Sequence, residues 1–265
     1  MIIGLMGPAG AGKDLGAERF IKEHGFVRVA FADPLKRYAQ DIYAFTDEQL
    51  WGPSEMRNKP DERYPREHTW KEVEEVNPDF KELACACCGQ KTNKRQVEDD
   101  VWVPDTDEIT QCFLTCRYAL QLLGTEYGRH CYPDTWVDYA MRIANRLKSG
   151  SCYYDMRTGL RHTTMVDGAA MTAKTDVVIS DVRFINEIRG IHRGGGYVIR
   201  IVPPKKTSTE SWRKHVSESE QEGIPDSEFD GIIQNQKAGV EPFWVDVDKA
   251  YLAVAHKAIC EVGKL

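Results

Sequence analysis

Residues 7–14 read Gly-Pro-Ala-Gly-Ala-Gly-Lys-Asp, directly after the apolar run Ile2–Met6. The spacing fits G-x-x-x-x-G-K. Glycines there let successive backbone N–H groups turn inward around phosphate oxygens with no Cβ in the way. A helix over Leu15–His24 would aim its positive N-terminus at the same anion. Lys13 would reach the outer phosphates as a point charge. The candidate phosphate-holding set is therefore Gly7, Gly10, Ala11, Gly12, Lys13 and Asp14. A glycine turn that binds nothing is the competing reading, and the strand–loop–helix context weighs against it. Asp14 stands where the motif usually has Ser or Thr, whose hydroxyl ligates Mg²⁺. A carboxylate can also ligate Mg²⁺, directly or through water, and without the metal it would repel the phosphates.

Phosphoryl transfer needs cations for the acceptor as well. Lys36 falls in the first turn of a helix after a second strand, and Arg57 just beyond a third helix. Arg117, Gln121 and Gly124 share one helix face. Asp181 and Arg183 follow the apolar strand Val177–Ser180, at the strand end where open α/β sheets bind ligands. Asp181 could hold Mg²⁺ or its water shell, and Arg183 could clamp a phosphate. Singly, each arginine could be a solvated surface group and Asp181 a helix cap. Their joint placement after the strands favours a site.

The elements that would carry these groups alternate. Strands are expected at Ile2–Met6, Phe26–Phe31, Val177–Ser180, Tyr197–Val202 and Gly231–Gln234. Helices are expected at Leu15–His24, from Pro34 to Tyr43, after the capping box Thr46–Gln49, over Ile109–Leu123 with a stop at Gly124, from the cap Asp134 to Gly150, at Ile185–His192 and at Val247–Val262. This pattern predicts an α/β fold with a mostly parallel sheet. Residues 53–108 are polar, charged and proline-rich, and read as an irregular insertion. Ser151–Ala173 reads as a hairpin or loop, with Thr158-Gly159 as a turn.

The chain has 265 residues, 42% hydrophobic and 29% charged, as in ordinary soluble domains. Its net charge of −6 argues against a general nucleic-acid coat. No apolar run reaches the ~18 residues of a membrane span. MIIGLMG lacks a basic region before its apolar residues and does not read as a signal peptide. A reduced compartment is expected, where clustered cysteines point to metal or burial before disulfides. Cys85-Ala-Cys87-Cys88-Gly89 contains the C-x-x-C-G of a zinc knuckle. With Cys112 and Cys116 placed i, i+4 on a helix, Cys85, Cys88, Cys112 and Cys116 could form a structural Zn²⁺ site, Cys87 being an alternative ligand. A reduced loop beside two core cysteines is the other reading.

Taken together, GPAGAGKD (7–14), FADPLK (31–36), Arg117 with LQLLGTEYGR (120–129), Trp136, SDVRFINE (180–187), Tyr197–Val202 and HVSESEQEGIP (215–225) resemble the bacteriophage deoxynucleoside monophosphate kinases. The resemblance runs over almost the whole chain in the family's order. It implies one P-loop kinase domain, a three-layer sandwich, with a helical acceptor-binding insertion and a lid at about 203–225. It implies ATP and Mg²⁺, with Asp14 and Asp181 as candidate metal ligands. It implies a deoxynucleoside monophosphate as acceptor, held by Lys36, Arg57, Arg117, Gly124, Thr125, Trp136, Asp181, Arg183 and Glu187. Lys13, Arg117 and Arg183 would be the catalytic cations, and Arg213, Lys214 and His215 would add lid cations. Segments 53–108 and 151–173 depart from the family core. A cytoplasmic setting in an infected host and a homodimer fit the same resemblance. Two rival readings remain: a kinase acting on a hydroxymethylated pyrimidine within DNA, and an ATP-dependent binding or regulatory protein.

Overall fold

The computed structural model describes residues 1–8, 10–72, 82–98, 101–105, 109–149, 153–154, 161–162, 165–166, 169–170, 175–203, 221, 223–236 and 239–263. In chain order the elements are β1 (Ile2–Met6), α1 (Lys13–His24), β2 (Val27–Val29), α2 (Asp33–Tyr43), α3 (Asp47–Trp51), α4 (Ser54–Asn58), β3 (Pro60–Arg66), β4 (Trp70–Glu72), β5 (Glu82–Cys85), β6 (Lys91–Glu98), β7 (Val101–Pro104), β8 (Cys112–Thr115), α5 (Cys116–Leu122), α6 (Thr135–Lys148), β9 (Val177–Val182), α7 (Ile185–Arg193), β10 (Tyr197–Val202), β11 (Gly231–Gln234) and α8 (Val240–Val262). The chain divides into two compact units: Met1–Asp33 with Tyr132–Leu265, and Pro34–Cys131.

The first unit is built on a five-stranded sheet in the order β11–β10–β1–β9–β2, and all four pairings are parallel. Strands buried on both faces need apolar residues at every position, and β1 is buried throughout. Its side chains alternate between two cores. Ile2 and Met6 pack with Ala140, Ala144 and Leu147 of α6 and Ile188 and Ile191 of α7. Ile3 and Leu5 pack with Ala17 and Phe20 of α1 and Phe243, Val247 and Val254 of α8. The result is the three-layer α/β sandwich with a parallel sheet that the sequence predicts. Arg19 braces α1 against α8 through Asp248, which also accepts from His24 Nε2 at 3.0 Å.

Several boundaries differ from expectation. β2 is shorter than Phe26–Phe31, because Ala30 and Asp33 form a turn held by the Asp33 carboxylate on the Ala30 N–H. Asp134 occupies the N-cap of α6 but makes no capping bond. Its carboxylate instead accepts from Asn186 Nδ2 at 2.8 Å and faces Arg193. α8 begins seven residues earlier than Val247, with Pro242 tolerated in the first turn. Between 151 and 173, Tyr153–Tyr154 pairs with Arg161–His162 and Met165–Val166 with Ala169–Ala170. The turn at Thr158-Gly159, the stop at Gly150, and Arg213, Lys214 and His215 lie outside the described residues. No helix among the described residues is long and apolar enough to cross a membrane.

In the second unit, the described residues of 53–108 are not irregular. They hold α4 and five strands, of which β4, β5, β6 and β7 form an antiparallel sheet and β3 pairs with β8. Runs such as Lys91-Thr-Asn-Lys-Arg95 hid this, because a small sheet leaves most positions to solvent and only a few, such as Leu83 and Cys85, are buried. The capping box at Thr46 is present in full, with Gln49 N–H on Thr46 Oγ1 at 3.2 Å and Thr46 N–H on Gln49 Oε1 at 2.9 Å. The expected helix over Ile109–Leu123 is instead β8 followed by α5. Thr115 Oγ1 accepts the Tyr118 N–H at 3.2 Å, and this cap sets the boundary. Gly124 does not stop the helix, which runs on as a π-helical turn over Leu123–Arg129.

Candidate active site

The glycine loop leaves β1 at the C-terminal edge of the parallel sheet. Gly7 lies so close to β10 that a Cβ would stand 2.4 Å from the Ile201 carbonyl oxygen. Gly10 and Gly12 have φ of 74° and 104°, which L side chains rarely adopt. Ala9 lies outside the described residues. Gly12 caps α1 with no side chain, so the first-turn N–H groups of Lys13–His24 face no competing cap. Lys13 Nζ folds back over the loop and donates to the carbonyls of Gly7 at 2.6 Å and Pro8 at 2.8 Å. Asp14 is exposed in the same first turn. Glycine backbone, an open helix N-terminus and one ammonium can together hold an anion. The exposed Asp14 carboxylate beside them fits a divalent cation that accompanies such an anion.

Sequence reasoning missed Asn235. Its Nδ2 donates to the Ala11 carbonyl at 2.8 Å and fixes the loop from the end of β11. Its place at a strand end was the available signal, by the rule that picked out Asp181.

Asp181 and Arg183 lie on the same sheet edge, since Val182 of β9 is opposite Met6 of β1. The Asp181 carboxylate accepts the Phe31 N–H at 2.8 Å and the Ala32 N–H at 3.0 Å. It thereby orients the start of FADPLK and keeps further lone pairs. Buried beneath are Arg28, Asp33 and Ser180, with Arg28 Nε donating to Ser180 Oγ at 3.1 Å. Glu187 is also buried, and its Oε2 accepts the N–H groups of Arg183 at 2.6 Å and Phe184 at 3.0 Å. It caps α7 and holds the backbone of Arg183, whose side chain is exposed. Trp136, half-buried, packs against the core under α6.

In the second unit three predicted cations come together. Arg57 Nη2 and Arg117 Nη2 each donate to Ser54 Oγ at 3.3 Å. Lys36 Nζ lies 5.5 Å from the centre of the Trp51 ring. All three are half-buried and face Cys116. Arg57 Nε is buried and hydrogen-bonds nothing among the described residues. Gly124 approaches Leu35, where a Cβ would stand 3.4 Å from Leu35 Cδ1, and Thr125 is half-buried in the π-helical turn.

No family model matches the chain. A viral relative does. A curated protein of Acanthamoeba polyphaga mimivirus named "Putative deoxynucleotide monophosphate kinase" is 28% identical over 247 residues, 93% of this chain and 94% of that protein. A likeness of that length takes in most of both units.

The cysteines arrange differently from the expected four-thiolate set. Cys116 belongs to a core of Ala39, Phe45, Leu50 and Ala119. Burial pushes its thiol up to about 11, although Lys36, Arg57 and Arg117 pull the other way. Cys112 lies on β8, so the two are not one helical turn apart. Its neighbours are Cys85, with the two Sγ atoms 3.8 Å apart, and the Cys87–Tyr118 core. His68 takes the place foreseen for Cys116, with Nδ1 3.7 Å from Cys88 Sγ.

Proposed function

We propose that this chain is a kinase that transfers the γ-phosphoryl group of ATP to the 5′-phosphate of a deoxynucleoside monophosphate. The observation that carries this reading is the glycine loop: Lys13 held over Gly7 and Pro8 at an uncapped helix N-terminus, on the sheet edge shared with Asp181 and Arg183. The viral relative's name and its end-to-end likeness support the same reading.

The donor phosphates would lie against the loop glycines and the first turn of α1. Lys13 Nζ would exchange two carbonyls for phosphate oxygens. Asp14 and Asp181 are the residues that would hold Mg²⁺, which neutralises charge on the transferred group when bound. An acceptor phosphate oxygen attacks the γ-phosphorus as the bond to the β–γ bridging oxygen breaks, and ADP departs with that oxygen. The acceptor phosphate is largely dianionic near neutral pH, its second pKa being about 6, so no strong base is required. Catalysis is then positioning and charge stabilisation. Arg183 is a catalytic cation that clamps a phosphate of the acceptor in this scheme, with its backbone held by Glu187. Lys36, Arg57 and Arg117 form the acceptor-side group, so the second unit acts as the acceptor-binding insertion and Gly124 and Thr125 shape its walls. Residues 203–225 are assigned as the lid.

The test is a panel: ATP and Mg²⁺ with each of the four deoxynucleoside monophosphates, with duplex DNA carrying a hydroxymethylated pyrimidine, and with no acceptor. The proposal expects deoxynucleoside diphosphate and ADP in equal amounts from at least one free nucleotide. Phosphorylated DNA alone would transfer the reading to a DNA-directed kinase. ATP binding with no transfer would make the protein a nucleotide-dependent regulator.

A further inference from the structure

Four metal-ligating side chains converge in the second unit. His68, Cys85, Cys88 and Cys112 each offer one ligand atom, and these atoms all lie within 4.8 Å of one another. We propose that they form a Cys₃His site for a structural Zn²⁺ ion.

The geometry supports this before any metal is added. Zinc with bonds of about 2.3 Å to sulfur and 2.0–2.1 Å to nitrogen holds its ligands tetrahedrally, which separates two sulfurs by ~3.8 Å and a sulfur and a nitrogen by ~3.5 Å. Cys85 Sγ and Cys112 Sγ are 3.8 Å apart, and Cys88 Sγ is 3.7 Å from His68 Nδ1. A disulfide would need the sulfurs at about 2.05 Å. All four cysteines of this region, Cys85, Cys87, Cys88 and Cys112, are free thiols.

The backbone is shaped for the same purpose. Cys85 and Cys88 flank a tight turn between β5 and β6, closed by Gly89 N–H on Cys85 O at 2.9 Å and Cys85 N–H on Gln90 O at 2.8 Å. Gly89 has φ of 78°, which frees the turn to double back. The histidine is oriented too. Its Nε2 lies 2.9 Å from the Thr110 carbonyl and must donate to it, so Nδ1 keeps a lone pair toward the sulfurs. The ring stacks on Trp70 at 4.6 Å with an interplanar angle of 11°. Three thiolates and one imidazole suit zinc in a closed structural site. They leave one net negative charge on the zinc site, and Arg66, opposite Cys112 in the β3–β8 ladder, supplies a nearby cation.

The ion would tie together three separate stretches: the loop before β4, the β5–β6 turn and the start of β8. β8 ends in Thr115, the cap of the helix that carries Arg117. A small sheet with few buried apolar residues thus gains a cross-link at its base. An open groove of about 640 Å³, lined in part by His68, Trp70 and Cys112, gives solvent access to the site.

The test does not depend on activity. Full-length protein produced with zinc in the medium is dialysed against buffer without metal, and its zinc is measured by mass spectrometry. One zinc per chain is expected. Cobalt exchanged into the same protein should show the intense visible bands of a tetrahedral site and thiolate-to-cobalt charge transfer. Cys112→Ser and His68→Ala should lose stoichiometric metal, whereas Cys116→Ser and Cys87→Ser should keep it. Where a ligand variant fails to fold, the wild-type cobalt spectrum still decides. Metal-free wild-type protein with six-coordinate cobalt, a Cys85–Cys112 disulfide, or zinc kept by Cys112→Ser but lost from Cys116→Ser would each overturn the proposal.

Discussion

Arg57 and Arg117 donate to the same acceptor, the hydroxyl oxygen of Ser54, each from 3.3 Å. Two guanidinium groups on one neutral oxygen repel each other, and the repulsion eases when an anion lies between them. A charge-assisted hydrogen bond contributes about 1.5–3 kcal/mol, so Arg57→Ala should raise the acceptor KM by roughly 10–100-fold. The KM for ATP should stay within about twofold, because the loop is in the other unit. Ser54→Ala, which leaves both cations, should change the acceptor KM little. Initial-rate kinetics with each substrate varied in turn separates these outcomes. An equal rise in both KM values would contradict the acceptor assignment.

Gly7 and Gly10 should respond differently to alanine. At Gly7 the new Cβ meets the Ile201 carbonyl oxygen at 2.4 Å, so backbone must move; overpacking of that kind costs about 1–3 kcal/mol. At Gly10 no atom lies within 4 Å of the new Cβ, but φ of 74° costs about 1 kcal/mol for an L residue. Urea unfolding should therefore order stability as wild type, Gly10→Ala, Gly7→Ala. Gly16→Ala, whose Cβ would make only ordinary contacts of 3.5 Å or more, should be neutral or stabilising.

Asp230 predicts a pH dependence of stability. Its carboxylate is buried, which raises its pKa, but Lys257 Nζ at 2.6 Å, the Val198 N–H at 2.8 Å and His192 Nε2 at 3.0 Å outweigh burial and hold it below the usual carboxylate range. A group with a lowered folded pKa contributes stability that is fully present above its unfolded value of about 3.9 and is lost as pH falls through the folded value. Asp230→Asn should therefore be less stable than wild type at pH 7. The difference should shrink in unfolding curves taken below about pH 4.

The parallel sheet was legible because β1, buried on both faces, is apolar at every position, and Tyr197–Val202 and Gly231–Gln234 have the bounds read from sequence. The second unit was less legible. Ile109, Phe113, Cys116, Leu120 and Leu123 fit a helical period, yet Thr115 caps in the middle and pairing with β3 makes Cys112–Thr115 a strand. That error carried into the metal ligands, since only a continuous helix would have put Cys112 beside Cys116. His68 gave no sign by spacing, because it reaches the cysteines through the β3–β8 ladder rather than along the chain. In the loop region the motif glycines were plain in sequence. Asn235, which ties down the loop, had only its place at a strand end to mark it, and Ser54 meets Arg57 three residues on but reaches Arg117 only through the fold.

The account rests most directly on Lys13. The decisive measurement is steady-state ADP formation with deoxynucleoside monophosphates, comparing wild type with Lys13→Met. The wild type should form deoxynucleoside diphosphates. The variant should fold with an unchanged far-ultraviolet spectrum and lose transfer by at least about 10²-fold, the scale of removing one group that stabilises transition-state charge. A folded variant that turns over at the wild-type rate would contradict the account.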